Sequence, residues 1–377
     1  METPYSHRSA DYLWPGKISC EVLPKGRILP HSNLALGGVC RADGSFVESS
    51  ALHEELYDGS YPYDEAKVEK KEGVAVFLGT WHKLYGHRFT DNIKKLWYLF
   101  TPEYKALCEE SADKGGVDLV YTYMWGREAT ACMDEVCSAL GLDVRTMHPV
   151  YAVTEYDKVI VPDNSFILHG GVRYYTPQYK DLIARICEYS ESNAKGVEFP
   201  DSIYLTRRNF PSDKDFGDER PIEEAFERQG YNVITPEKYS FIQQVAMMQH
   251  CSRLAATEGS ISHNAVFCRQ GTALTVLRKI DWCNTWQVAI DEMNDLDVTY
   301  IDAHHSYMSR LPWEGPFFVW KTQQLMDYLG EEGREKCRWI SPLLYRYLVA
   351  YVRFQFQPII NGVKKIKYSF WSFRHNI

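Results

Sequence analysis

The feature that most constrains this chain is a regular alternation of strand-like and helix-like segments between residues 202 and 277. The strand-like runs are "SIYLTRR", "YNVITP", "RLAATEG" and "TALTVL", and the helix-like runs are "RPIEEAFERQG", "SFIQQVAMMQHC" and "SISHNAVFCRQG". Strands that alternate with helices through short loops predict a parallel sheet with both faces covered. Right-handed crossovers would place the carboxyl ends of these strands at one edge, where ligands bind in such sheets.

The first half shows the same alternation less regularly. We predict strands at 73–79, 117–123 and 157–162, and helices at about 87–100, 128–141 and 176–192. Thr176 and Pro177 suit the start of the last helix, as its cap and its first helical residue. The segment "NAKGVEFPD" has the composition of a linker. The sequence therefore predicts two α/β domains that face a cleft, followed by a basic tail, with bounds at 1–195, 196–335 and 336–377.

Composition limits the class of protein. Of the 377 residues, 45% are hydrophobic and 24% are charged, an ordinary globular balance that suggests roughly two domains. The net charge of −8 argues against nucleic acid as a partner. Ten cysteines without CxxC pairs favour a reduced, intracellular protein. Neither a secretory signal nor an uncharged run of about 18 residues is visible, so we expect a cytoplasmic protein.

The C-terminal tail has the opposite charge to the rest of the chain. From residue 336 onward there is no Asp or Glu, so the tail carries +8 and the remainder −16. Its runs "LLYRYLVAYVRFQF" and "KKIKYSFWSF" mix basic and aromatic residues, which suits a segment lying on an anionic membrane surface. A helix packed on the protein with its charges in water fits equally well. The first interpretation would place the protein at the inner face of a membrane.

Two candidate anion-binding features follow strands of the second half. Arg207 and Arg208 come directly after "SIYLT", and guanidinium groups suit bidentate contacts with phosphate. In the turn "EGS", Gly259 permits a sharp bend, and Ser260 or Ser262 can cap a helix whose N-terminus would bind an anion. Solvated arginines and an ordinary turn are the plainer interpretations. Together at one sheet edge, the two features predict a diphosphate site.

Further polar residues lie near the same predicted edge. Glu258 would repel a phosphate but could accept hydroxyl groups of a sugar or a ribose. Pro236 and Glu237 end a strand, within reach of a nucleoside. Ser240 fits the first position of a capping box, whereas Gln244 has no such structural explanation.

In the first half, "YGHRFTD" follows a strand-like run. His87 and Asp91 are four residues apart, so on a helix they share one face. A carboxylate oriented by a neighbouring imidazole is a reasonable general base. The plainer interpretation is an Asp favoured by the helix macrodipole and a His packed at the turn.

In order and spacing, these motifs resemble glycosyltransferase family 61, which includes bacterial capsular-polysaccharide glycosyltransferases and plant xylosyltransferases. The resemblance covers roughly residues 70–280 and is strongest from Ser202 to Leu277. It extends from H-x-x-x-D, through a strand ending in Arg and "RPIEEAFERQGYNVITPEKYSFIQQV", to "TEGSISHNAVF". It implies an inverting enzyme of the GT-B architecture, with two Rossmann-like domains.

The resemblance also implies roles for single residues. Asp91 is the expected base, with His87 orienting it or lining the acceptor site. The positions implied at the nucleotide-sugar donor are Arg207, Arg208, Ser240 and Gln244. The family's usual "HGA" turn is "EGS" here, which removes a histidine that would face the phosphate. His263, one turn later, is a partial substitute.

The predicted function is transfer of a hexose or pentose, with inversion, from a nucleotide-sugar to a glycan or lipid-linked glycan acceptor in surface-polysaccharide synthesis. No cofactor is expected, because arginines and a helix dipole would take the place of a metal. The acidic stretch at 293–297 falls after a helix, and His304 and His305 lack partners at ligand spacing. One alternative is a nucleotide- or sugar-binding protein without activity. Another is a phosphohydrolase or phosphotransferase, for which Cys251 and Cys268 have no evident base.

Overall fold

The computed structural model describes most of the chain, and the described ranges are 12–32, 36–52, 59–124, 133–210, 214–282, 284–304, 315–332, 342–356 and 359. The first sheet has seven strands: β1 Cys20–Pro24, β2 Arg27–Leu29, β3 Gly38–Cys40, β4 Glu69–His82, β5 Val117–Met124, β6 Met147–Pro149 and β7 Thr154–Pro162. Its order is β3-β2-β7-β4-β5-β6, and β1 also pairs with β7.

The first sheet is mixed rather than all parallel. β4 runs parallel to β5 and β7, and β6 parallel to β5. β1 and β2 run antiparallel to β7, and β3 antiparallel to β2. The strands predicted at 73–79, 117–123 and 157–162 are confirmed as parts of β4, β5 and β7. The family resemblance implied a Rossmann-like first half. The observed sheet has a parallel centre and an antiparallel edge, because the residues before β4 add three strands.

The helices of the first half are α1 Pro102–Ser111, α2 Asp134–Ala139 and α3 Pro177–Asn193, and the hairpin before α3 consists of β8 Phe166–His169 and β9 Val172–Tyr175. α3 begins as predicted, since the Thr176 hydroxyl accepts from the Tyr179 N–H and Pro177 is the first helical residue. Of the helix predicted at 128–141, α2 is the confirmed part, and residues 125–132 lie outside the described ranges.

The α-helix predicted at about 87–100 is wrong. A π-helical turn, Arg88–Asn92, and a 3-10 turn, Leu96–Phe100, stand in its place. The Asn92 side chain bonds both backbone groups of His82, accepting from its N–H at 2.8 Å and donating to its carbonyl at 3.0 Å. Nearly every side chain of the segment is buried, so contacts with β4 and its surroundings override the helical periodicity.

The second sheet is entirely parallel, as predicted. Its strands are β10 Ser202–Leu205, β11 Asn232–Ile234, β12 Arg253–Thr257, β13 Ala273–Arg278 and β14 Asp297–Asp302, in the order β11-β10-β12-β13-β14. The helices of this half are α4 Arg220–Arg228, α5 Phe241–His250, α6 Thr285–Met293 and α7 Gln323–Tyr328. The order reverses between β10 and β12, and such a switch point is where ligands bind in open parallel sheets.

The helix predicted from "SISHNAVFCRQG" is instead a 3-10 segment, Ser262–Phe267, with all six side chains buried. The Asn294 side chain donates to the carbonyls of Ala265 and Val266, at 3.1 and 2.8 Å. Those carbonyls would accept intrahelical bonds in a longer α-helix. Because the Asn294 side chain occupies these carbonyls, the helical segment ends after two turns.

Apolar packing joins the two sheets. α3 contacts α5, and one hydrophobic cluster includes residues from β4 of the first sheet and from β10 and β12 of the second, namely Val76, Leu78, Ile203, Leu205, Leu254 and Ala256. The other face of the second sheet packs against α4 and α7 through residues including Ile222, Phe226 and Leu325. The chain passes between the sheets through residues 194–201, where the linker was predicted.

A last described helix spans residues 342–356. It packs through Leu344 and Tyr347 against Phe318, and these three side chains form a small separate cluster. None of the helices in the described part of the chain is long and apolar enough to cross a membrane.

Candidate active site

The carboxyl edge of the second sheet brings the predicted donor-side residues to one place. Arg207 follows β10 and Gly259 follows β12, the two strands that flank the switch point. Gly259 has a φ of +122°, a conformation that side chains rarely adopt. A Cβ built on it would lie 3.8 Å from Arg207 Nη1 and 3.4 Å from Lys279 Nζ. The glycine therefore lets the backbone approach two cationic groups.

The backbone amides of this turn are largely used within the turn. The Gly259 N–H donates to Ser262 Oγ at 3.1 Å, and the N–H groups of Ser262 and His263 donate to the Gly259 carbonyl at 3.0 and 3.3 Å. The positive potential at the switch point therefore comes mainly from the side chains of Arg207 and Lys279 rather than from a helix N-terminus.

A buried hydrogen-bond network holds the turn in position. The Ser262 hydroxyl donates to Gln287 Oε1 at 2.6 Å, and Gln287 Nε2 donates to Asp291 Oδ1 at 2.8 Å. The Tyr300 hydroxyl donates to Asp291 Oδ2 at 2.5 Å. Ser262 and Gln287 are fully buried. The network connects the Gly259 turn to α6 and β14, so Ser262 holds the turn in position from the buried side.

The two arginines after β10 have different surroundings. Arg207 Nη2 lies 3.6 Å from Asp215 Oδ2, and the Arg207 guanidinium is 5.4 Å from the centre of the Phe210 ring. Arg208 Nη1 lies 3.0 Å from Glu223 Oε2 on α4, and its side chain is about half exposed. Of this pair, Arg207 is the one that lies beside Gly259.

Glu258 and Lys279 are neighbouring titratable groups whose pKa values are both strongly shifted. Burial raises the pKa of the Glu258 carboxyl to about 7, and the carboxylate accepts from the backbone N–H of Lys279 at 3.4 Å. Burial, and then the charge of Arg207, lower the pKa of the Lys279 ammonium to about 8. Such shifts at a strand edge are typical of functional sites.

The residues predicted around β11 take mainly structural contacts. Ser240 and Gln243 form the predicted capping box at the start of α5. Gln244 Nε2 donates to the carbonyls of Pro236 and Tyr239, each at 3.1 Å. Pro236 is buried, and Glu237 beside it is exposed at the sheet edge.

His87 and Asp91 are in direct contact, as the sequence predicts. His87 Nδ1 lies 2.5 Å from Asp91 Oδ2, and the Thr90 hydroxyl donates to the same oxygen at 2.8 Å. Lys94 Nζ is 3.8 Å from Asp91 Oδ1. The Asp91 side chain is completely buried, whereas 25% of the His87 side chain is exposed. The carboxylate is therefore surrounded by cationic and hydrogen-bonding groups, and the imidazole is the part that solvent reaches.

Other imidazoles surround this pair. The His82 ring stacks on His87 with their centres 4.2 Å apart, and its Nδ1 accepts from the Leu84 N–H at 3.0 Å. His263 from the second half is buried, and its Nε2 lies 3.3 Å from Asn284 Nδ2. Burial and the charge of His87 lower the pKa of His263 to about 3, which keeps this imidazole neutral.

The two halves meet at the site itself. A Cβ on Gly86 would lie 2.8 to 3.1 Å from atoms of Ser260, so the backbone before His87 abuts the "EGS" turn. The Tyr85 hydroxyl lies 2.8 Å from Gln244 Oε1 and 2.7 Å from Asn264 Oδ1. These contacts place the histidine–aspartate pair next to the cationic edge of the second sheet.

Sequence reasoning missed two lysines of this region. Lys279 directly follows β13. A basic residue after a predicted parallel strand could have indicated that it lies at the ligand-binding edge. Lys94 lies within the helix predicted at about 87–100, but it is buried and donates to the carbonyl of Leu52. Its burial could not be read from "NIKKLW", which has the pattern of a surface helix.

An α/β protein with a cationic site at a strand-order reversal, next to a histidine–aspartate pair, has the features of a group-transfer enzyme with an anionic substrate. The family model of glycosyltransferase 61 matches residues 85–275, just over half of the chain, and the chain belongs to this family. Membership supports glycosyltransferase activity, with a sugar donor and an acceptor as substrates. None of the curated proteins matches the chain.

Proposed function

We propose that the protein is an inverting glycosyltransferase that moves a sugar from a nucleotide-sugar to an acceptor hydroxyl. The observation that carries this proposal is the contact of Gly86 with Ser260, which joins an acid–base pair to a cationic strand edge. A sugar transferase needs both features, one for the acceptor proton and one for the departing phosphate.

The donor occupies the carboxyl edge of the second sheet in this proposal. Arg207 contacts the diphosphate beside Gly259, while Arg208 contributes charge from its position against Glu223. The nucleoside extends past β11 toward Pro236 and Glu237. Negative charge grows on the diphosphate as the sugar departs, so fixed cations favour the transition state over the ground state.

The acceptor approaches from the side of the first sheet. Its hydroxyl loses a proton to the His87–Asp91 pair and attacks the anomeric carbon from the face opposite the diphosphate. That attack inverts the configuration of the anomeric carbon. His263, kept neutral by burial, lies in the same electrostatic neighbourhood and lines the site between the two halves.

Catalysis without a metal is part of the proposal. In the described ranges, His, Cys, Asp and Glu side chains form no group of three that could hold a metal ion. His304 is described, and His305 lies outside the described residues. The cationic side chains near Gly259 would neutralise the leaving group, which is the usual task of a divalent ion in such reactions.

A nucleotide- or sugar-binding protein without activity is the alternative. Such a protein would need the cationic edge but not an acid–base pair. The contact between His87 and the buried Asp91 carboxylate favours the enzyme.

We further propose that the enzyme acts at an anionic membrane surface, in capsule or other surface-polysaccharide synthesis, with the helix 342–356 as the contact. Its outer face carries exposed apolar side chains three or four residues apart, namely Tyr345, Leu348, Val352 and Phe356. Arg346 and Arg353, both exposed, lie next to this stripe. Apolar and basic groups side by side suit the headgroup region of a bilayer, and binding to lipid vesicles tests the proposal.

Donor binding is the experiment that tests the enzyme proposal. Thermal unfolding would be followed with UDP, GDP, CMP and TDP, in the presence of a chelator, for the wild type, Arg207→Ala and Arg269→Ala. Arg269 is an exposed arginine before β13, at the opposite edge of the sheet. A nucleotide at 100 times its Kd should add about 2.7 kcal/mol to the free energy of unfolding.

Stabilisation by one nucleotide that is lost in Arg207→Ala and kept in Arg269→Ala is the expected result. It would identify the donor class and justify turnover assays. Stabilisation by none of the nucleotides would contradict the proposed donor.

A further inference from the structure

We propose that Lys279 binds the diphosphate of the donor together with Arg207, and that Glu258 positions Lys279 and takes up a proton when the donor binds. This inference rests on the proposed function. It assigns a binding role to Lys279, which follows β13 at the same edge as the switch point.

Geometry places Lys279 at the diphosphate position. Its Nζ is 3.4 Å from the position that a Cβ of Gly259 would occupy, and Arg207 Nη1 is 3.8 Å from the same point. Two cations thus converge on one open backbone position. An anion that lies against the Gly259 turn would contact both.

The groups around Lys279 show that Lys279 and Arg207 repel each other when no anion lies between them. Lys279 Nζ lies 4.4 Å from the centre of the Phe317 ring. Its charged neighbours are Arg207 and Lys214, which repel the ammonium, and Asp215 and Glu258, which attract it. Burial and the repulsion by Arg207 outweigh the carboxylates, since the pKa of Lys279 falls to about 8. A bound diphosphate would relieve that repulsion.

Donor binding should also favour the protonated form of Glu258. Its carboxyl is buried, accepts from the backbone N–H of Lys279 and has a pKa of about 7, so near neutral pH it is partly protonated. A diphosphate nearby disfavours the carboxylate, and it favours the ammonium of Lys279. Donor binding should therefore be accompanied by proton uptake, and the affinity should fall as pH rises from 7 to 9.

The test uses isothermal titration of the full chain with UDP, GDP, CDP and TDP at pH 6, 7, 8 and 9. The variants are Lys279→Met, Lys279→Arg, Glu258→Gln and Lys238→Met. Lys238 is an exposed lysine after β11 at the same sheet edge, so it controls for a general loss of positive charge. Thermal unfolding of each variant confirms that it folds.

For the nucleotide that binds the wild type, we expect Lys279→Met to raise Kd at pH 7 at least tenfold and Lys238→Met less than threefold. Lys279→Arg should restore part of the affinity. The decrease in affinity above pH 8 should vanish in Lys279→Met, and the change between pH 6 and 8 should flatten in Glu258→Gln.

Two results separate the inference from the proposed function. If the wild type binds a nucleotide and folded Lys279→Met binds it equally well, the role of Lys279 is wrong and the donor proposal survives. If the wild type binds none of the nucleotides, the donor proposal fails and the role of Lys279 fails with it.

Discussion

His87 and Asp91 form one hydrogen-bonded pair, yet their environments differ. Asp91 is enclosed by His87, Thr90 and Lys94 and has no exposed side-chain surface, whereas a quarter of the His87 side chain is exposed. An acceptor hydroxyl can therefore approach the imidazole more directly than the carboxylate. A carboxylate that accepts from Nδ1–H leaves Nε2 as the basic nitrogen. The exposure favours His87 as the group that contacts the acceptor, with Asp91 orienting it.

Substitution of each member separates these roles. If His87 accepts the proton, His87→Ala and Asp91→Asn should each lower kcat by about 10²–10⁴-fold, because both break the pair. The KM for the donor should change little, since the proposed donor contacts lie on the other side of the site. Steady-state kinetics measures both constants.

The exposed His148→Ala on β6 is the matched control and should keep full activity. Substantial turnover by folded His87→Ala would mean that Asp91 accepts the proton directly, as the family resemblance implies.

At the scale of elements, the helix 342–356 has two apolar faces that differ in burial. One face is buried through Leu344 and Tyr347 against Phe318, and the other is exposed. A deletion of the tail would remove core contacts as well as the exposed face. Point substitutions on the exposed face therefore test membrane binding more cleanly than truncation does.

Vesicle flotation measures the effect of this face. The wild type should float with vesicles that contain phosphatidylglycerol and not with vesicles of phosphatidylcholine alone, because the neighbouring arginines need anionic lipid. Val352→Ser combined with Phe356→Ser should reduce the bound fraction severalfold, since two exposed apolar side chains that would enter the bilayer are lost.

Val22→Ser on β1 is a matched control, because Val22 and Val352 are both 53% exposed. Equal flotation of the double variant and the wild type, or self-association through this face without lipid, would contradict the membrane contact.

At the scale of the whole molecule, buried carboxyls make stability depend on pH. Burial raises the pKa of Asp291 from 3.8 to about 7, and Glu258 behaves similarly. Because the folded-state pKa exceeds the unfolded-state value, the favourable contribution is complete below about pH 4 and is lost as pH rises through 7. At most, this change should amount to about 4 kcal/mol for Asp291 and about 3 kcal/mol for Glu258.

Denaturant unfolding between pH 4 and 8 measures this dependence. Buried histidines, including His263, contribute in the opposite direction below pH 6.5, so the wild type is compared with Asp291→Asn at each pH. The free energy of unfolding of the wild type, measured relative to that of Asp291→Asn, should fall across the range. Asp297→Asn, at an exposed position, is the control and should leave the pH dependence of the free energy of unfolding unchanged. A constant difference between the wild type and Asp291→Asn across the range would show that Asp291 ionises in the folded protein as readily as in the unfolded chain.

Local patterns in the sequence determined much of the second half. Its first four strands and the helices α4 and α5 follow from period and capping, so the parallel sheet, the capping box at Ser240 and the placement of Arg207 and Gly259 at one edge were predictable. The 3-10 segment Ser262–Phe267 was not. The spacing of His87 and Asp91 likewise predicted their contact, although the segment is a π-helical turn rather than an α-helix. These features depend on residues close together in the chain.

The tertiary structure alone decided which distant residues meet. Lys279 lies beside Gly259, and Gly86 abuts Ser260, because the two sheets pack together and parallel strands share an edge. The burial of Asp91 likewise depends on packing around β4. Long-range contacts set burial and charge environment, and local periodicity contains no information about either.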